Sequence, residues 1–252
     1  MLRKGLPSSR RHWFITGIGI ILFVSYFALA SFRESWDLFL LCVLVVPFVY
    51  FYRKYEQQRA LILAQFASSR GLTFSREDPL DLMNKFELVE PFSRCWSRPI
   101  SNVMHGDLGD RKVYACDFLQ AGGEDVTTGS VAIAELASAV PYLRLRPAKF
   151  LGHTAFLVGL HDLALESEEF NRAFNVRTAD REIAFDILNP RTMQQLLNSP
   201  YRRIEFYGRH VVMFDERLWA ADEFSRALDF VCRLAEEIPG YVWQKLNARM
   251  QH

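Results

Sequence analysis

A thiol and an imidazole brought together in space make a nucleophile and its base, and Cys95 with His105 offers such a pair. No recognisable signature surrounds Cys95, and a lone cysteine beside Trp96 reads first as a buried structural thiol. His153 with His161 and Asp162 supplies two imidazoles and a carboxylate, a donor set suited to a first-row metal ion. The further ligands of such a site have no counterpart in the sequence, so these three read as surface or capping polar residues, and no metal site is expected. Phosphate-cradling loops, a His-Glu-x-x-His helix and a Gly-x-Ser-x-Gly elbow are all missing, which leaves no motif for a cofactor. The basic residues say more. Arg144, Arg146 and Lys149 fall on a strand and its exit, and Arg202, Arg203 and Arg209 fall on a second pair of strands. Arg144, Arg146, Lys149, Arg202 and Arg203 are therefore the candidate contacts for anionic lipid head groups or a protein partner. The competing reading is a solvated sheet face on which Glu135 and Glu205 intersperse the cations.

Charge is unevenly spread over the 252 residues. Positions 1–59 carry eight of the 30 Lys and Arg and three of the 29 Asp and Glu, leaving 22 against 26, a net −4, in the remainder. A mildly acidic domain is poorly suited to neutralising a phosphate backbone, so no nucleic-acid partner is expected. The basic N-terminal part contains two apolar runs, about 13–31 and 37–52, separated by a short polar segment around Arg33 to Asp37. The first run approaches the roughly 20 residues that a membrane-crossing helix requires and the second is shorter. Residues 1–52 thus read as a transmembrane hairpin with the lipid bilayer as its partner. Arg3, Lys4, Arg10 and Arg11 before it and Arg53, Lys54 and Arg59 after it predict an inner-membrane, multi-pass protein with both termini cytoplasmic. Arg10-Arg11 and Ala28-Leu29-Ala30 also allow a cleaved export signal, the lesser reading because a second apolar run follows at once. Cys95, Cys116 and Cys232 form no Cys-x-x-Cys pair and read as free thiols.

A helical stalk over 53–70 follows, stopped by Gly71, and 71–252 reads as an α+β domain. Asp78-Pro79 predicts a short helix through Phe86. Period-two alternation predicts strands at 102–105, 112–119, 128–136 and 142–146, with Pro147 closing the last. Helical segments are expected at 148–156, 167–174 and 179–188, and from the cap pair Asn189-Pro190 to Leu197. Two further strands, 201–207 and 210–214, are expected to turn at Gly208-Arg209. A closing helix over 222–237 carries Phe224, Leu228, Val231, Ala235 and Ile238 on one face. The expected architecture is an antiparallel sheet with inserted helices and a C-terminal closing helix.

Several stretches, Val103-Met104-His105-Gly106 with Lys112 to Phe118, Pro141 to Pro147, and Phe170 through Val176 leading to Ile187-Leu188-Asn189-Pro190, give the chain a resemblance to uncharacterised bacterial membrane proteins. Those proteins have a two-helix N-terminal hairpin and a cytosolic domain, and the resemblance spans most of 53–240 without supplying catalytic residues. The functional expectation is a membrane-tethered cytosolic domain that binds a protein partner or ligand. The alternative is an enzyme acting on a lipid or membrane-proximal substrate.

Overall fold

A computed structural model of the chain describes residues 36–93, 100–122, 125–148 and 160–249. The chain divides into two compact units, Met1–Arg59 and Ala60–His252. Helix α1 (Trp36–Ser69) runs unbroken for 34 residues through Pro47. In the first unit it exposes Val46, Phe48, Val49, Tyr50, Phe51 and Tyr52. This overturns the membrane placement expected above: among the described residues, no helix is long and apolar enough to cross a membrane. The second apolar run ends after about 15 residues at Arg53 and Lys54, short of the roughly 20 that a span needs. The first run lies outside the described residues.

Within the second unit, Leu63 and Ala67 of α1 are buried in the main core, so these positions of the expected stalk belong to the folded domain. Gly71 ends the helix with a left-handed φ of 71°, and the Leu72 N–H donates to the Ala67 carbonyl at 2.8 Å. That pairing closes a Schellman turn.

Among the described residues, the second unit is α+β, built on a seven-stranded antiparallel sheet. Its strands are β1 (Thr73–Ser75), β2 (Ile100–Leu108), β3 (Arg111–Gly122), β4 (Asp125–Pro147), β5 (His161–Leu163), β6 (Phe174–Thr178) and β7 (Ile204–Asp215). The order is β1-β2-β3-β4-β6-β5, with β7 on the other edge of β4. β2 and β3 extend the expected hairpin, with Leu108 opposite Arg111 and Gly109-Asp110 at the turn. Strand β4 merges the two strands expected at 128–136 and 142–146 into one of 23 residues, whose register with β7 shifts between Glu135 and Val140 and again before Leu143. The expected turn at Gly208-Arg209 likewise does not occur. Residues 204–206 pair with 143–145 and 210–215 with 130–135, so β7 runs the length of β4, and Gly208, at φ 54°, absorbs the bend opposite Val140.

Alternation along these strands sends side chains to two faces, and each face has its own cover. On one face Ala132, Ala134, Leu143, Leu145, Ile204, Phe206, Val211 and Met213 meet the helices. Those helices are α4 (Glu168–Ala173), α5 (Arg181–Ile187), α6 (Pro190–Asn198), α7 (Ala221–Glu236) and α8 (Gly240–Arg249), the last beyond the closing helix the sequence predicts. Ser167, Asp180 and Asn189 cap α4, α5 and α6 through their side-chain oxygens, the third as the sequence leads one to expect. On the other face Val103, Cys116, Phe118, Val131, Ile133, Val212 and Phe214 are covered by Leu82, Phe86, Val89 and Phe92. This second cover is two short helices, α2 (Leu82–Lys85) and α3 (Glu90–Ser93). Asp78 accepts from the backbone of Leu80 and Met83 rather than opening a helix at Pro79. Gly129 is required where β4 passes β3 and β7, because an added Cβ would lie 2.2 Å from the Asp215 carbonyl and 2.3 Å from the Phe118 ring.

Candidate functional site

The two strand arginines point to the second face of the sheet and are inside. Arg146 is 3% exposed and Arg144 5% exposed, beneath the segment that carries Glu90. Arg146 donates to Glu90 Oε2 through Nε at 2.9 Å and through Nη2, and its Nη2 also donates to Glu205 Oε1. Glu205 Oε2 accepts from Tyr142 Oη at 2.8 Å and from the Glu90 N–H at 3.3 Å. The Arg146 guanidinium lies over the Phe214 ring at 4.7 Å. Two arginines and two glutamates thus neutralise one another. Burial opposes the charge on Arg146, but Glu205 and Glu90 hold its pKa above the ordinary arginine range. Burial, followed by the neighbouring Arg146, lowers that of Arg144. Burial and the Glu205 carboxylate push the Tyr142 phenol upward, keeping it a proton donor. This network fastens α3 to β4 and β7 and leaves neither strand arginine facing solvent.

The remaining basic candidates are spread apart. Arg202 donates to the carbonyls of Leu196 and Ser199 at 2.8 and 2.6 Å and lies over Phe174, so it closes the end of α6. Arg203 is paired with Glu216. Lys149 lies outside the described residues, as do Cys95 and His153. His105 sits in β2 between Thr73 and Tyr114. His161 and Asp162 are exposed on β5, where Asp162 accepts from Arg177 at 2.7 Å, an ordinary surface pair. Among the described residues, no group of three or more His, Cys, Asp or Glu side chains could hold a metal ion. Cys116 and Cys232 are free thiols, and burial raises both pKa values, which disfavours the reactive thiolate.

A concave site instead opens between α6 and α7. Asn189 Nδ2 donates to the Glu237 carbonyl at 3.4 Å at one end, and Tyr201 packs 5.4 Å from Phe230 toward the other, so the two helices run antiparallel. Arg191, Gln194, Gln195 and Asn198 follow one another at i, i+3, i+4 and i+7 along α6, while Arg226, Asp229, Phe230 and Arg233 do the same along α7. These faces, closed by Ser199, Pro200, Tyr201 and Glu237, bound a cleft of about 620 Å³. That is ample for a small ligand. Arg226 pairs with Asp222 and Asp229 with Arg70. The guanidinium groups of Arg191 and Arg233 and the carboxylate of Glu237 have no partner among the described residues, and Gln195 Oε1 is buried without a donor. The sequence candidates did not include these residues. Their signal was the polar i, i+3, i+4, i+7 spacing on two consecutive amphipathic helices.

At the far rim of the sheet, His210 packs edge-on against Phe86 at 4.9 Å, near Tyr114 and Lys85. Burial, then Lys85 and Arg209, lowers its pKa from 6.5 to about 4. The unfolded chain therefore takes up more protons between those values, so this contribution to stability is complete at neutral pH and is lost as pH falls through the window. Discounted for partial exposure, the expected loss from pH 7 to 4.5 is about 2 kcal/mol. Urea unfolding of the full chain at both pH values checks this against His210→Phe, which should lose correspondingly less. Parallel losses would remove His210 as the cause.

The architecture on which these sites sit is an α+β fold with helices gathered on one face of an antiparallel sheet and a short cover on the other. No family model and no curated protein matches the chain. Among solved structures, the mycobacterial trehalose monomycolate transport factor A, TtfA, is similar to it, with a TM-score of 0.56 and 13% identity over 70% of this chain and 92% of that one. The likeness is one of fold.

Proposed function

We propose that this chain is a binding protein rather than a catalyst, and that the α6–α7 cleft takes its ligand or partner. The observation that carries this reading is the pair of guanidinium groups, Arg191 and Arg233, on facing helices without partners among the described residues. Elsewhere in the fold, Arg146 and Arg203 have carboxylate partners. Of the candidate catalytic residues, Cys95 and His153 lie outside the described residues and Asp162 is engaged in a surface pair, while the described free thiols Cys116 and Cys232 have pKa values raised by burial, so catalysis has no comparable support. The neighbour's name, a trehalose monomycolate transport factor, is consistent with a lipid-related binding or transport role.

A photo-crosslinking amino acid placed at Gln194 or Asn198 of the full chain, in the source cells, is expected to give a discrete adduct that Arg191→Glu with Arg233→Glu abolishes. The control is Glu87, exposed beside the opposite cover of the sheet. Equal adducts at Glu87 and Gln194, or none in the cleft, would overturn the assignment.

A further inference from the structure

Resting on that reading of the cleft, we infer that its ligand is a polyhydroxylated molecule bearing one anionic group, a sugar or polyol phosphate or carboxylate. Three features of the lining select this chemistry. First, Arg191 and Arg233 present two planar guanidinium groups, the side chain best matched to a phosphate or carboxylate because it donates along two parallel hydrogen bonds. Glu237 stands at the same end, so the three side chains carry a net charge of one positive unit, which suits a single anionic group and disfavours a polyanion.

Second, Gln195 Oε1 is buried and accepts from no group among the described residues. A buried acceptor without a donor costs free energy, and the ligand recovers that cost by bringing a hydroxyl. The exposed amides of Gln194 and Asn198 on the same helix face are joined by one hydrogen bond, Gln194 Nε2 donating to Asn198 Oδ1 at 3.3 Å, and their remaining N–H and carbonyl groups both donate and accept, as a row of hydroxyls requires. Third, the lining includes Phe230 of α7 and Tyr201 at the end of the cleft, aromatic side chains that give a ring carbon skeleton an apolar contact. From Arg191 to Asn198 the lining extends about 10 Å along the helix axis. Arg191 and Arg233 lie toward the Asn189–Glu237 end, Phe230 is one turn from Arg233 and Tyr201 lies toward the other end, so a bare anion or a bare acyl chain satisfies only part of the lining.

The test is calorimetric titration of the full chain with glucose 6-phosphate, glucose, inorganic phosphate and octanoate. Glucose 6-phosphate is expected to bind at least about tenfold more tightly than any of the other three, since each lacks one of the matched features. Arg191→Ala with Arg233→Ala should weaken it by about tenfold or more. Gln195→Leu should weaken glucose 6-phosphate by about fivefold and leave inorganic phosphate unchanged. These side chains are not part of the core, so the melting temperature serves as the folding control for every variant. Flotation with phosphatidylcholine vesicles containing phosphatidylinositol separates the two sources of the chemistry. Retention that the double arginine variant abolishes assigns a lipid head group, and glucose 6-phosphate binding without retention assigns a free molecule; either outcome keeps the inference. Equal binding of phosphate and glucose 6-phosphate, tighter binding of octanoate, or no binding of any probe overturns it. If no probe binds while the crosslink at Gln194 persists, the ligand class falls and the cleft stands; if the crosslink is also absent, both fall.

Discussion

Replacing Arg146 by alanine is expected to cost the full chain about 3–5 kcal/mol, because it leaves Glu90 and Glu205 buried beside each other without their shared cation. Arg144 cannot substitute, being 4.0 Å from Glu90 and itself disfavoured by burial. Against a typical total of about 5–15 kcal/mol, the loss is a large fraction of the stability. For a domain of this size it lowers the melting temperature by roughly 6–20 °C. Arg146→Lys should fall between, since an ammonium keeps the charge but cannot reproduce the guanidinium fork. The fourfold replacement Glu90→Leu, Arg144→Met, Arg146→Met and Glu205→Leu should recover most of the loss, because it removes the charges together with their desolvation cost. Urea unfolding of the four proteins decides it. A loss below about 1 kcal/mol for Arg146→Ala would show that the glutamates find another route to neutrality.

That network also explains where the sequence misleads. The alternation Leu143-Arg144-Leu145-Arg146 correctly places leucines and arginines on opposite faces, since a period of two requires it. It says nothing about what lies over the arginines. The cover that buries them comes from residues 80–93, where eight residues are helical; the short helix predicted through Phe86 gives no sign that Leu82, Phe86, Val89 and Phe92 close over a face of the sheet. A charged residue on a strand reads as solvent-facing unless its counter-ion is known, and Glu90 is 56 positions away from Arg146 in the chain.

Other features were legible because their determinants are local. Asn189 and Pro190 set the start of α6, with the Asn189 side chain accepting from Arg191 and Thr192 N–H groups. The apolar face from Phe224 onward fixes α7. Strands β4 and β7 were misread for the opposite reason. Ala137-Ser138-Ala139 with Pro141, and Gly208-Arg209, are good turn formers locally, yet the two strands pair on both sides of these points, and that pairing carries each strand through. The cleft was overlooked because a polar helix face normally means solvent. Only the arrangement of α6 beside α7 turns two such faces into a lining.

Leu228→Asp is expected to be the most damaging single change in the chain. Leu228 is fully buried on α7, in the same apolar cluster as Phe224, Val231 and Leu234 and the sheet residues Ala134 and Val211. Two costs combine. Removing the leucine side chain forfeits about 2–5 kcal/mol of burial and packing, and the carboxylate adds several kcal/mol because it has neither water nor a cation there. The sum approaches the whole stability of an ordinary domain. Arg226→Asp, two residues earlier on the exposed side, loses the i,i+4 pair with Asp222 and a surface hydrogen bond to Tyr201 and places two carboxylates in register, a change of about 1 kcal/mol. The two costs at Leu228 also separate by pH. A buried, unpaired aspartate has its pKa raised, so the folded form takes up a proton that the unfolded form holds only below its ordinary value near 3.9. Its deficit relative to Leu228→Ala should therefore be largest at pH 7 and shrink as pH falls toward 4, while the deficit of the alanine variant relative to wild type stays constant. Chemical denaturation of the three proteins at pH 7 and 4.5 measures both. Equal tolerance of aspartate at 226 and 228 would place Leu228 on the wrong face of α7, and a pH-independent aspartate deficit would mean that water reaches the site.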